Sequence, residues 1–225
     1  MASLSNPSKF LGIYRIWKDT VANTGLKWSN GNSEDIIIER FTKSQSPEEI
    51  KDWIVSVKGA IPTLTGFMDF ATATGIRFVE AVRSYNLIVD LSEHGDLTEY
   101  YDVEKALLEH YRFSELFIRR SKKIFISFIS EDLVELVKAS RRFSKSAIEN
   151  RIKRSGLPSR FGDLREYWAT YMTKYLKQPE IDFLQGRVST SVFMRNYFNP
   201  AWIKDLKDRI LRSTEEILME LQHLS

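Results

Sequence analysis

The chain has 225 residues, 33 lysines and arginines against 30 aspartates and glutamates, a formal net charge of +3 and a hydrophobic fraction of 43%. That length fits one domain of ordinary size with a small appendage, and the apolar fraction is enough for a sizeable core. No apolar run approaches the ~18–20 residues of a membrane span. No charged, apolar and cleavable leader is legible at the N-terminus, so the expectation is a cytoplasmic protein without a membrane partner. With no cysteine, disulfides, thiolate zinc sites and cysteine nucleophiles are excluded. The three histidines, His94, His110 and His223, are too scattered to suggest a metal cluster, so neither a metal nor another cofactor is expected.

In chain order, residues 1–8 are polar with a proline and read as a flexible start, and Phe10 to Val21 has apolar positions at helical spacing. Residues 25–35, rich in glycine, asparagine and serine, predict a loop, followed by a short helix over 36–41. Ser46-Pro47-Glu48-Glu49 places an N-cap serine ahead of proline and acids and opens a helix over 47–59. Two helices follow, over 63–74 and 76–89, broken at Gly75, a candidate left-handed residue that turns the chain before Arg77. A third, acidic helix is expected over 97–111.

The pattern then changes. Residues 114–120 and 123–129 alternate and are rich in β-formers, which predicts a hairpin with Ser121-Lys122 at its turn. Helical patterning resumes over 131–139, 144–154 and 163–176, then in a short helix opened by Pro179 that ends near Gly186. A polar link over 188–191 leads to Tyr197, and Pro200 starts an amphipathic helix running to about 222. The fold class is therefore mainly α with one small β-hairpin or sheet.

Charge distribution says more than its sum. Residues 119–123 read RRSKK, and residues 138–160 carry Lys138, Arg141, Arg142, Lys145, Arg151, Lys153, Arg154 and Arg160, while acids gather over 90–109. A basic half suits a polyanion contacted on one side, and it equally suits a solvated helix face.

The stretch GDLREYWATYMTKYLKQPEIDFLQGRVSTSVFMRNYFNP over residues 162–200 contains Arg165 in D-L-R, Arg187 in Q-G-R and Tyr197 ten residues later. Upstream, residues 74–80 read T-G-I-R-F-V-E, with Arg77 followed by Glu80 on one helical face. A charged pair among Ile76, Phe78, Val79, Ala81 and Val82 calls for a reason beyond a surface ion pair. These motifs in this order resemble the catalytic domain of the tyrosine recombinases, the phage-integrase family, and the Q-G-R…S-V-F-x-R-x-Y wording is most similar to archaeal virus and plasmid integrases. The resemblance covers roughly residues 45–222. It makes residues 45–225 a catalytic domain and residues 1–44 an N-terminal segment or the remnant of a preceding domain or linker.

What the resemblance implies is site-specific DNA recombination or integration through a 3′-phosphotyrosyl intermediate, with double-stranded DNA attachment sites as partner and self-assembly to a tetramer on DNA. Tyr197 is the implied nucleophile, Arg77, Arg165 and Arg187 the implied phosphate ligands, and Glu80 the orienting partner of Arg77. Lys122 is the implied general acid, chosen from Lys122 and Lys123, with Arg119 and Arg120 just before them. One departure stands out: the family's histidine or lysine three residues before the second arginine is Gly162 here. The rival readings are a non-catalytic helical DNA-binding or interaction module and a DNA-relaxing enzyme of the type IB topoisomerase kind. A metal-dependent nuclease is disfavoured because no acidic or histidine cluster has ligand spacing.

Overall fold

The computed structural model describes residues 2–24, 46–119, 123–187 and 198–224. It is mostly helical, with one small three-stranded antiparallel sheet among the described residues. The chain divides into two compact units, residues 1–45 and 46–225. In the first, α1 (Ala2–Phe10) and α2 (Tyr14–Asn23) are joined at Gly12, and the Tyr14 and Trp17 rings stack at 5.6 Å. Where a flexible start was expected over 1–8, the described residues from Ala2 on are helical. Pro7 lies inside α1, where it forfeits one intrahelical donor, and the turn closes after it through the Leu11 amide on the Pro7 carbonyl at 2.9 Å. The loop and short helix expected over 25–41 lie outside the described residues.

The second unit is built on α3 (Pro47–Ala60), α4 (Thr65–Thr74) and α5 (Phe78–His94). The Ser46 hydroxyl accepts the Glu49 amide at 3.2 Å, with Pro47 in the first turn, so α3 begins where its sequence predicts. Helix α4 is buried on nearly every side: Phe67, Met68, Phe70 and Thr72 are fully inaccessible. The Phe67 ring meets Phe78, Tyr85, Phe143 and Phe161 edge-on, and this aromatic cluster joins four separate stretches of chain. Helix α5 starts at Phe78 rather than 76, which leaves Arg77 outside as its N-cap.

The acidic helix expected over 97–111 is absent. Asp96 instead accepts the Thr98 amide at 2.9 Å and Asp102 the Lys105 amide at 3.0 Å, so each aspartate closes a turn on its own backbone, and Ala106 takes a positive φ of 49°. The result is a two-stranded ribbon, β1 (Tyr101–Asp102) and β2 (Leu107–Leu108), with Tyr101 opposite Leu108. The third strand, β3 (Ser127–Phe128), pairs with β2.

The hairpin expected over 114–129 is correspondingly reduced. Ser114–Phe117 forms a single helical turn, α6, closed by the Ile118 amide on the Ser114 carbonyl at 2.7 Å. What remains of the hairpin is the antiparallel bridge of Ile118 with Lys123 and the Ile124 amide on the Phe117 carbonyl at 3.1 Å. Its far end is claimed by β2. Residues 120–122, Lys122 included, lie outside the described residues.

The remaining helices follow their sequence signals: α7 (Glu131–Lys138), α8 (Lys145–Arg154), α9 (Phe161–Met172), α10 (Gln178–Leu184) and α11 (Leu206–His223). Helix α9 begins two residues before its expected start, since Asp163 does not cap it but ion-pairs with Arg160 at 3.0 Å. Helix α11 starts at Leu206, because Pro200–Trp202 forms a separate 3-10 turn. Its apolar face, Leu206, Ile210, Ile217 and Leu221, is buried against the core and packs on α4 and α3.

Candidate functional site

Three of the sequence-derived arginines are brought together by the turns before α5, within α9 and after α10. At the first, Gly75 ends α4 with φ +59°, and a side chain there would begin 2.2 Å from the Trp168 ring. The chain therefore turns tightly against α9, and the Trp168 indole N–H donates to the Ala73 carbonyl at 3.0 Å. Two residues later Arg77 caps α5. The Glu80 carboxylate accepts the Arg77 backbone N–H at 3.3 Å and its guanidinium at 3.1 and 3.2 Å. Glu80 has no solvent exposure, whereas the Arg77 side chain keeps 25%. A buried carboxylate thus orients a guanidinium whose outer edge stays accessible.

Arg165 lies in the second turn of α9. Its Nη2 donates to the Gln185 carbonyl at 2.6 Å, while its Nε is buried without a partner. Burial holds its pKa down, to about 10, and the neighbouring charges of Arg77 and Arg187 push the same way, with Glu80 opposing them. The group remains a cation at neutral pH, but one repelled by two others. Arg187 follows α10; its amide donates to the Asp182 carbonyl at 2.7 Å, and its half-exposed guanidinium lies 3.9 Å from the Asp182 carboxylate.

The residue that sequence reasoning missed is Gln185, which is 1% exposed. Its side-chain amide donates to the Arg165 carbonyl at 3.0 Å and the Gly75 carbonyl at 3.2 Å. One side chain therefore clamps the turn before Arg77 to the helix bearing Arg165, while its own backbone carries the chain to Arg187. Gly186 completes the arrangement with φ +62°: a side chain there would begin 1.5 Å from the Lys123 carbonyl, so the base of the hairpin rests directly on the Q-G-R turn. The signal available in the sequence is the glutamine of Q-G-R itself, immediately before the glycine that makes the turn.

Glu180 supports this turn from behind. It accepts the Lys177 amide at 2.7 Å and two hydrogen bonds from Arg209 of α11 at 2.8 and 3.0 Å, and Arg209 holds its carboxyl below the usual glutamate range. On the other side, the Phe183 ring lies between Phe125 at 5.9 Å and Phe198 at 5.8 Å. The residue that follows Tyr197 in sequence is thereby held on α10. Tyr197 itself lies outside the described residues. Lys123 is described and exposed.

Arg160 is engaged with Asp163 and with Glu49, at 3.6 Å, rather than free for chemistry. At Gly162 a side chain would meet open space, so glycine is not required there for packing. The helical spacing of Tyr167, Trp168, Tyr171 and Tyr175 predicts four core residues; the first three are buried, and Tyr175 is half-buried against the core.

Chemically, the cluster of guanidiniums around one buried carboxylate suits a multiply ligated anion such as phosphate, whose non-bridging oxygens accept parallel N–H donors. Among the described residues no group of acidic or histidine side chains could hold a metal ion, and no helix is long and apolar enough to cross a membrane. Comparison of the chain with protein-family models, curated proteins and solved structures finds no match in any of the three, so its functional reading rests on this geometry and on its sequence motifs.

Proposed function

We propose that this chain cuts and rejoins double-stranded DNA through a covalent tyrosine intermediate, as a site-specific recombinase or integrase acting in a self-assembled tetramer on its attachment sites. The observation that carries the reading is that Arg165, held on the Gln185 carbonyl, feels the charges of both Arg77, which Glu80 orients, and Arg187. Their excess positive charge is offset when a phosphodiester sits among them, and offset further as negative charge builds on its oxygens in the transition state.

The Tyr197 oxygen attacks phosphorus as its proton passes to solvent water, forming a 3′-phosphotyrosyl ester. The bond to the 5′-oxygen breaks, and Lys122 gives that leaving oxygen a proton. Attack by another strand's 5′-hydroxyl reverses the step and reseals DNA without ATP, because the ester retains the energy of the broken bond.

The test is incubation with a nicked duplex without divalent metal, followed by a denaturing gel. Wild type is expected to give a protease-sensitive protein–DNA adduct that Tyr197→Phe does not form. Retarded DNA on a native gel without an adduct from wild type contradicts the enzymatic reading. That outcome favours a DNA-binding module, the alternative supported by Gly162, which offers neither donor nor acceptor where a proton-handling side chain is expected. Exchange between two labelled duplexes separates a recombinase from a relaxing enzyme of the topoisomerase kind.

A further inference from the structure

Arg119 has no role in the reading above, yet it reaches the same carboxylate as Arg77. Its Nη2 donates to Glu80 Oε1 at 3.3 Å, the oxygen that also receives Arg77 Nη1 at 3.1 Å. Glu80 is fully buried and carries one negative charge, so it offsets only one of the two guanidiniums it orients. That ion pair does not satisfy all the donors of Arg119. Its Nε is buried and without a hydrogen-bond partner, as is the Nε of Arg165, whose charge also feels Glu80. The side chain keeps 35% exposure, so it is accessible to a large ligand.

The backbone beneath Arg119 is firmly held. Phe117 is fully buried, Ile118 bridges Lys123, and Arg83 of α5 donates to the Leu116 carbonyl at 2.6 Å. This segment is thus tied to the helix that Arg77 caps, and its partner strand rests on Gly186.

We propose that Arg119 is a fourth guanidinium of the phosphate site, paired with Arg77 through Glu80 and contacting a backbone phosphate of duplex DNA. The inference rests on the reading of the arginine cluster as a DNA site. It predicts that Glu80 orients two cations, which grip the DNA backbone from the α5 side and the hairpin side together.

The experiment measures the affinity of a labelled duplex by fluorescence anisotropy across a salt series. The proteins are wild type, Arg119→Gln, Arg119→Lys, Arg165→Gln and, as control, Arg212→Gln, an exposed α11 arginine paired with Glu216. Losing one phosphate contact makes the slope of log K against log salt shallower by about 0.9. Arg119→Gln and Arg165→Gln are each expected to show that change, while Arg119→Lys, which retains the charge, and Arg212→Gln keep the wild-type slope. A wild-type slope for Arg119→Gln beside a shallower one for Arg165→Gln overturns the role of Arg119 and leaves the site reading intact. No duplex binding by wild type, or unchanged slopes for both variants, overturns the site reading and this inference with it. Should Arg119→Gln fail to fold, the wild-type protein answers by arginine-selective dicarbonyl modification mapped by peptide mass spectrometry. Duplex is expected to slow modification of Arg119 and Arg165 but not Arg212, and an unprotected Arg119 beside a protected Arg165 overturns the proposal.

Discussion

Single residues do different work at this site. Gly186 and Gly156 both adopt positive φ, but a side chain at Gly156 would meet open space, whereas at Gly186 it would run into the Lys123 backbone. Gly156→Ala therefore carries only the conformational cost of the left-handed region, about 1–2 kcal/mol. Gly186→Ala is expected to cost clearly more, and to lower duplex affinity as well by moving the hairpin off the Q-G-R turn. Urea titration of the two variants checks this, and equal costs would show that the close approach has no energetic weight. The same comparison shows why the site was only half legible in the sequence. Arg77, Arg165, Arg187 and Glu80 stand in recognisable motifs, so their types and order were readable. Gln185 and Arg119 join them through contacts 20 and 39 residues apart, and neither periodicity nor local spacing encodes such pairings.

At the scale of elements, the site is fixed by how α10 is held. Glu180 is buried and accepts from both terminal guanidinium nitrogens of Arg209, so α11 braces the helix that leads into Gln185, Gly186 and Arg187. Removing the cation alone leaves a buried, unpaired carboxylate, which typically costs about 3–5 kcal/mol. Arg209→Met is expected to destabilise by that order, and Arg209→Met with Glu180→Met to recover much of the loss. Chemical denaturation of the single and double variants provides the check, and additive losses would contradict the pairing.

Helices were the most legible elements, because α3, α4, α5 and α7 to α11 each carry a cap, a proline or an apolar face repeating at helical period. The sheet was not legible: each strand is two residues long, too short for alternation to declare itself. Acidic residues over 96–109 imitated a helix, whereas Asp96 and Asp102 in fact bind their own backbone and end local turns.

Over the whole molecule, a buried polar chain joins the sheet to α5. Tyr100 Oη lies 2.7 Å from Ser84 Oγ and 2.7 Å from His110 Nδ1, and His110 Nε2 lies 2.9 Å from Ser127 Oγ. Burial lowers the His110 pKa from 6.5 to about 3, so the folded protein holds the ring neutral. A proton binds the unfolded chain first. The stability linked to neutral His110 is thus complete above about pH 6.5 and is lost as pH falls toward 3. Between pH 7 and pH 5.3 the expected loss is about 1–2 kcal/mol, before most of the carboxylates titrate. His110→Gln should flatten that interval in urea titrations, and an unchanged slope would contradict the assignment.

In the proposed reaction, Tyr197 becomes covalently joined to DNA held among the arginines. The most direct measurement is to trap wild type on a nicked duplex, digest protein and DNA, and locate the nucleotide-bearing peptide by mass spectrometry. A phosphonucleotide is expected on Tyr197, lost in Tyr197→Phe and depleted in Arg165→Gln. A nucleotide on another residue, or none despite duplex binding, would contradict it.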